Sequence, residues 1–117
     1  MYTISKQFAF SASHQLDHLP KDHKCARLHG HNYVVEVMLA AEHLDENGFV
    51  VDYGDLDEFK QHIDRFLDHR HLEEVVQFKT TAENLARYFY DWCKARWDQT
   101  VAIRVSETPK TWAEYRP

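Results

Sequence analysis

Two long segments in the first part of the chain have strand-forming patterns, and they constrain the fold more than any other feature. Residues 2–11 carry Ile4, Phe8 and Phe10 with polar residues between them, and residues 31–43 are rich in β-branched and apolar side chains. A period of two places successive side chains on opposite faces of a strand. We therefore predict two strands before the first helix.

The middle of the chain has the apolar spacing of two amphipathic helices. Asp55 is the predicted cap of the first helix, which is expected to end near Asp68. The run Thr80-Thr81-Ala82-Glu83 has the spacing of a capping box and predicts the start of the second helix. The core-facing residues are expected to be Leu56, Phe59, Ile63, Phe66 and Leu67 in the first helix and Leu85, Tyr88, Phe89 and Trp92 in the second.

Two more strands are predicted near the end, at residues 101–105 and 112–115. Residues 45–48 form a turn signal that predicts a hairpin onto residues 49–51. The order ββααββ favours an α+β fold with an antiparallel sheet, in one domain over residues 1–117. A sheet with open edges also favours assembly through those edges.

Composition disfavours several classes of protein. The formal charge of -5 argues against a nucleic-acid partner, because phosphate backbones select basic surfaces. No stretch approaches the roughly 20 apolar residues that span a bilayer, and residues 1–6 lack the apolar centre of a signal peptide. We expect a cytoplasmic protein that binds no membrane and keeps Cys25 and Cys93 as thiols.

Nine histidines are present, and five of them lie between His14 and His31. His29 and His31 share one face of a strand, and pairing of the first two strands would bring His14 to them. Three neutral histidines with an open fourth position are typical of catalytic zinc. Cys25 as a fourth ligand would instead close the site as structural zinc, and a His-x-His pair alone is often an ordinary surface or core feature.

Six segments, in order, resemble the 6-pyruvoyltetrahydropterin synthase family. They are Phe10-Ser11-Ala12-Ser13-His14, Cys25-x3-His29-Gly30-His31, Leu67-Asp68-His69, Thr81-Ala82-Glu83-Asn84-Leu85-Ala86, Val105-Ser106-Glu107-Thr108 and Trp112-Ala113-Glu114-Tyr115. The gap between Cys25 and His29 is similar to that of the bacterial 6-carboxytetrahydropterin synthase branch, because the eukaryotic pyruvoyl enzymes have a wider gap.

The resemblance implies the tunnelling fold (T-fold), in which a four-stranded antiparallel sheet carries two helices on one face. Family members close three such sheets into a barrel and stack two trimers into a homohexamer with active sites between subunits. The implied reaction converts 7,8-dihydroneopterin triphosphate to 6-carboxytetrahydropterin with release of acetaldehyde and triphosphate, toward queuosine. The alternatives are a 6-pyruvoyltetrahydropterin synthase, which stops before carbon–carbon cleavage, and a non-catalytic zinc-binding module.

The resemblance also assigns the catalytic roles. It implies that Zn²⁺ is bound by His14, His29 and His31, and that Cys25 is the general base. Neighbouring cations and a metal lower the pKa of a thiol, so such a role is chemically attainable.

A second acid–base element is implied at Asp68 and His69, rather than at His71, because only His69 directly follows the Leu-Asp pair. Without the resemblance, Asp68 and His69 would be interpreted as ordinary charges at a helix end. Adjacent residues rarely bond side chain to side chain in regular structure, so we expect their contact across a turn or a subunit interface.

The implied substrate contacts are four. Glu107 would accept two hydrogen bonds from the pterin, which is bidentate recognition of a flat donor pair. Thr81 would lie near the pterin, although a helix-cap role explains it equally well. Lys24 and Arg27 are candidates for contacts with the triphosphate.

Overall fold

The computed structural model describes residues 1–117, and two thirteen-residue strands form the centre of its sheet. Strand β1 (Tyr2–His14) and strand β2 (His29–Ala41) pair antiparallel along their whole length. Both strands were predicted, but β1 extends three residues further, to His14, and β2 begins two residues earlier, at His29. Because of this extension, His14 lies directly opposite His29 in the register.

Five further elements complete the α+β fold. They are helix α1 (Asp57–Phe66), strand β3 (Arg70–His71), helix α2 (Ala82–Lys94), strand β4 (Thr100–Thr108) and strand β5 (Thr111–Tyr115). The sheet order is β3-β1-β2-β4-β5. The predicted fold class is confirmed, but the sheet has five strands rather than four, because β3 adds a pairing parallel to β1. A strand of two residues is too short to show any alternation in the sequence.

The predicted hairpin at residues 49–51 is wrong, although the turn before it is present. Asp45 closes that turn, since its Oδ1 accepts hydrogen bonds of 2.9 Å from the backbone N–H groups of Asn47 and Phe49. Residues 49–51 then form bends instead of a strand. Val50 and Val51 are buried in the core there, which explains their apolar character without any strand pairing.

Both helix starts differ from their predictions by a few residues. A 3-10 turn (Tyr53–Leu56) precedes α1, and its cap is Asp52, which accepts from the Gly54 N–H at 2.8 Å, rather than Asp55. The cap of α2 is Thr81, whose hydroxyl accepts from the Asn84 N–H at 3.2 Å. Thr80 therefore takes no part in capping and is free for another role.

The helices pack on the face of β1 that carries Phe8 and Phe10. Phe8 meets Phe59 of α1 edge-on at 5.2 Å between ring centroids, and Phe10 meets Phe89 of α2 edge-on at 6.0 Å. Phe10 also stacks on Tyr33 of β2 at 4.8 Å. Alternation along β1 continues this buried face to His14, which is 1% exposed. Neither helix is long and apolar enough to cross a lipid bilayer.

Candidate active site

Three imidazoles meet where β1 ends and β2 begins. His14 lies opposite His29, and His31 is two residues further along the same face of β2. The ring centroids are 4.5 Å apart for His14 and His29, 5.1 Å for His14 and His31, and 4.8 Å for His29 and His31. One ring nitrogen from each residue lies within 4.8 Å of the others. The strand pairing thus gathers the three histidines that the sequence singles out.

Hydrogen bonds to backbone carbonyls determine the tautomers of two of these rings. His14 Nδ1 lies 2.9 Å from the Thr80 carbonyl oxygen, and His29 Nδ1 lies 2.7 Å from the Arg27 carbonyl oxygen. A carbonyl only accepts, so each Nδ1 carries the proton and each Nε2 carries a lone pair.

These two lone pairs face each other across 2.9 Å between His14 Nε2 and His29 Nε2. In addition, His31 Nε2 is buried without any hydrogen-bond partner. Lone pairs at this distance repel each other unless they share a cation. A histidine that binds a metal ion commonly donates its other ring N–H to a backbone carbonyl, as His14 and His29 do. The three Nε2 atoms therefore form a donor set that suits a metal ion.

Burial favours the neutral forms of His14 and His31, and the neutral imidazole is the form that binds metals. Burial, followed by the neighbouring His14 and His29, lowers the pKa of His31 to about 4. Burial also lowers the pKa of His14, against the opposing effect of the Thr80 carbonyl. The group could hold a divalent transition metal at neutral pH, since imidazole nitrogen suits this class of ion.

Cys25 is half-buried in a 3-10 turn (Lys24–Ala26) that is tied to the residues following His14. The Cys25 carbonyl accepts from the Leu16 N–H at 2.9 Å, and the Gln15 side-chain amide donates to the Ala26 carbonyl at 2.9 Å. The cysteine thiol does not belong to the group of close ligand atoms, which consists of the three histidines. The alternative in which Cys25 is a fourth ligand is therefore not favoured by this geometry.

Cys93, in contrast, lies in the core of the fold. Its side chain is fully buried, and burial raises the pKa of its thiol well above the ordinary value. A buried, protonated thiol is a poor nucleophile and a poor base.

Asp68 and His69 contact each other directly, although they are adjacent in the chain. Asp68 Oδ2 lies 2.9 Å from His69 Nδ1, because His69 has a φ of 60° in the turn after α1. The other oxygen, Asp68 Oδ1, accepts from the Ser11 N–H at 2.9 Å. These two donors, the Ser11 N–H first, lower the pKa of Asp68. The contact lies across a turn within one chain, which is one of the two arrangements expected.

The exposed ring of His69 lines a cleft of about 430 Å³ together with His31 and His71. This cleft is formed where β3 runs beside the end of β1. His69 of the predicted acid–base pair and His31 of the three clustered histidines therefore line the same cleft.

Glu107 connects the histidines to a second cleft. Its Oε2 lies 3.7 Å from His31 Nε2, and it lines a cleft of about 490 Å³ with Thr81 and Trp112. Burial raises the pKa of Glu107, opposed mainly by nearby His29. Thr81 lies at the wall of this cleft, and its hydroxyl also caps α2. Its position is therefore compatible with both predicted roles, the contact with the pterin and the helix cap.

Lys24 and Arg27 lie on the exposed side of the Cys25 turn. Neither side chain makes a hydrogen bond or an ion pair within this chain. These two cations are therefore close to Cys25 in the sequence, and neither of them lines either cleft.

Sequence reasoning missed two residues behind the histidines. Thr80 was assigned to a capping box, yet its carbonyl and hydroxyl both contact His14 Nδ1, at 2.9 and 3.1 Å. Glu73 receives the Thr80 hydroxyl at 2.7 Å and had no role in the sequence interpretation. The sequence did contain one signal for Thr80. Two threonines precede α2, but a helix needs only one cap residue, so the other threonine was available for a different role.

The likeness to known proteins covers almost the whole chain. A family model described as 6-pyruvoyl tetrahydropterin synthase matches residues 3–117. A Haemophilus influenzae protein named 6-carboxy-5,6,7,8-tetrahydropterin synthase is 31% identical over 143 aligned positions, which cover 99% of this chain and 99% of that protein. A Bacillus subtilis protein of the same name is 30% identical over 131 positions, which cover 99% of this chain and 86% of that protein.

The fold agrees with these relatives. The structure of Caenorhabditis elegans 6-pyruvoyl tetrahydropterin synthase superimposes with a TM-score of 0.87 at 29% identity, covering 99% of this chain and 95% of that chain. The sequence pattern, the fold and the clustered histidines all agree with the family that this comparison indicates. The chain belongs to the 6-pyruvoyl tetrahydropterin synthase family.

Proposed function

We propose that this protein is a 6-carboxytetrahydropterin synthase. It converts 7,8-dihydroneopterin triphosphate and one water molecule to 6-carboxytetrahydropterin, acetaldehyde and triphosphate, a step toward queuosine and related deazapurines. The observation that carries the proposal is the convergence of three imidazoles, one of which, His31, lines a cleft, while the residues after His14 are hydrogen-bonded to the turn that bears Cys25. The relatives from Haemophilus influenzae and Bacillus subtilis support the choice of product.

The metal in this proposal is zinc, held by His14, His29 and His31. A donor set of three neutral imidazoles with an open position is the usual ligand set of a hydrolytic or lyase zinc site. Bound zinc would polarise the hydroxyl and carbonyl oxygens of the substrate side chain, and so lower the cost of removing a neighbouring proton.

Two groups of the chain move protons in this scheme. Cys25 takes a proton from the substrate side chain in its thiolate form, which is the reactive form of a cysteine. Lys24 and Arg27 are proposed to contact the triphosphate. Asp68 accepts from His69 Nδ1, which fixes the ring and leaves Nε2 to exchange protons with the substrate. Loss of triphosphate is followed by addition of water to the side-chain carbonyl next to the pterin ring and by a retro-aldol-like cleavage, which leaves a carboxyl group on the pterin and releases acetaldehyde.

Glu107 anchors the pterin in this proposal, with Thr81 at the cleft wall. Replacement of Glu107 by glutamine is expected to raise KM and to lower kcat/KM by about 10- to 100-fold, because the variant loses a charge-assisted hydrogen-bond pair. Steady-state kinetics and metal analysis on the same preparation check this, with zinc content unchanged. Glu83→Gln is the matched control, since Glu83 lines the same cleft. Equal losses in the two variants would show that only the charge of the cleft matters.

The assembly in this proposal is a homohexamer of two stacked trimers, with sites between subunits, in the cytoplasm. The edges of the sheet support it, because β3 has two residues and β5 has five, and edge strands leave backbone groups unpaired. Light scattering is expected to give about six times the chain mass of 14.0 kDa. A monomer mass at micromolar concentration would contradict this assembly.

The decisive experiment is incubation of the zinc-loaded protein with 7,8-dihydroneopterin triphosphate. Acetaldehyde and a carboxypterin product, identified by mass, are the expected result. Release of triphosphate without acetaldehyde would select 6-pyruvoyltetrahydropterin synthase activity, which the similarity to the Caenorhabditis elegans structure favours. No release of either product would favour a non-catalytic zinc-binding module.

A further inference from the structure

A half-buried acid, Glu73, lies behind His14 of the three-histidine cluster and beside His71, which lines the first cleft. Glu73 follows β3 in a 3-10 turn (Leu72–Glu74) and approaches the end of β1. Its Oε1 accepts two hydrogen bonds, one from the Thr80 hydroxyl at 2.7 Å and one from the Gln15 N–H at 3.0 Å. A single carboxylate oxygen of Glu73 thus binds both Gln15, the residue after His14, and Thr80, whose carbonyl and hydroxyl contact the His14 ring.

The direction of the hydrogen bonds transmits the charge of Glu73 to His14. The Thr80 hydroxyl gives its proton to Glu73, so its oxygen lone pair is free to accept from His14 Nδ1 at 3.1 Å. The Thr80 carbonyl accepts from the same Nδ1 at 2.9 Å. The ring proton of His14 therefore faces two oxygens, one of which is polarised by a carboxylate. Such support makes the opposite nitrogen, Nε2, a stronger donor.

The second carboxylate oxygen of Glu73, Oε2, makes no hydrogen bond. Glu73 Oε2 is buried without a hydrogen-bond partner, and His71 Nε2 lies 3.5 Å from it. His71 is itself oriented by Ser13 Oγ, 2.9 Å from its Nδ1. A buried carboxylate oxygen without a hydrogen bond is costly, so the position of Oε2 points to a role of Glu73 beyond stability.

We propose that Glu73 is a positioning residue for the metal centre, which acts through the Thr80 hydroxyl to orient His14 and to strengthen Nε2 as a ligand. This inference rests on the proposed binding of zinc by the three histidines. It assigns no substrate contact to Glu73. The geometry also gives a net lowering of the pKa of Glu73: burial raises it, but the hydrogen bonds from Gln15 and Thr80 outweigh burial.

Zinc affinity of the purified protein, measured by competition with a chromophoric chelator at fixed pH, tests the proposal. Glu73→Gln removes the charge at nearly constant size, and loss of such a partner typically weakens metal binding by about 10- to 100-fold. Thr80→Val removes the hydroxyl and keeps the shape and the carbonyl, and it should weaken binding in the same direction. Glu74→Gln is the matched control, because Glu74 is the exposed neighbour in the same turn, and its affinity should equal that of the wild type.

The double variant E73Q/T80V separates action through Thr80 from a general structural effect. If Glu73 acts through the hydroxyl, the two substitutions remove the same interaction. The zinc affinity of the double variant should then equal that of whichever single variant has the lower affinity. Multiplying losses would overturn the relay, and equal affinities of E73Q and E74Q would overturn the role of Glu73 altogether. Should E73Q not fold, the comparison of Thr80→Val with the wild type still decides, since unchanged affinity would overturn the relay.

Failure of this inference is distinct from failure of the proposed function. If the wild type binds zinc and E73Q binds it equally well, only the inference is overturned. If the wild type binds no zinc, both the inference and the proposed zinc site are overturned. If the affinities follow the expected pattern but no acetaldehyde forms, the positioning role stands and the proposed reaction is wrong.

Discussion

Replacing Cys25 with alanine is expected to lower kcat for 7,8-dihydroneopterin triphosphate by about 100- to 10,000-fold, the range for loss of a general base. The zinc content should stay at the wild-type value, because the thiol does not belong to the group of close ligand atoms. The fold should also persist, since the turn is held by backbone atoms of Cys25 and by Gln15 rather than by the thiol. Acetaldehyde release and metal analysis on one preparation measure both quantities.

The control for this variant is Lys21→Ala, which alters an exposed residue of the same loop and should retain wild-type turnover. The opposite outcome is equally clear. If Cys25→Ala loses zinc and unfolds, Cys25 is a structural ligand and the protein is a zinc-binding module. If turnover is unchanged, another group is the base.

Replacing His31 with alanine is expected to abolish both turnover and the thermal stabilisation that zinc gives. A ligand at about 1,000 times its Kd stabilises a protein by about 4 kcal/mol, and two remaining imidazoles should bind zinc too weakly to reach that ratio. The metal-free variant should be close to the wild type in stability, because His31 Nε2 has no hydrogen-bond partner to lose. Thermal unfolding with zinc and with a chelator gives Tm values for the comparison.

His43→Ala provides the matched control, because His43 is exposed near the end of β2, far along the strand from the cluster. It should show the full zinc-dependent rise in Tm. An equal rise in His31→Ala would exclude His31 as a ligand. A large loss of stability in the chelated variant would show instead that His31 serves the core.

Local patterns in the sequence were sufficient for the main elements of the fold. Alternation predicted β1 and β2, and apolar spacing predicted both helices, because each pattern records which face of a single element is buried. Where one residue served two purposes, the pattern misled. Val50 and Val51 fill the core without forming a strand, and Thr80 supports His14 instead of capping α2.

The candidate site divides in the same way. The spacing of His29 and His31 on one strand could be interpreted from the sequence, because it depends on two residues of the same element. The sequence left two routes open for the contact of Asp68 with His69, a turn or a subunit interface, and could not choose between them, since the contact needs a left-handed backbone at His69 that no sequence pattern predicts. The partners of His14 were also hidden, because Thr80 lies 66 residues away in the chain.

The sequence by itself determined which side chains are available: three histidines at strand ends, a cysteine on a short loop and a carboxylate on β4. Only the tertiary structure decided how they act together. The register of β1 against β2 brings His14 opposite His29, and the path after α1 brings Glu73 beneath Thr80. The physical reason is that periodicity reports burial within one element, whereas ring tautomers, close lone pairs and shared clefts depend on contacts between elements that are distant in the chain.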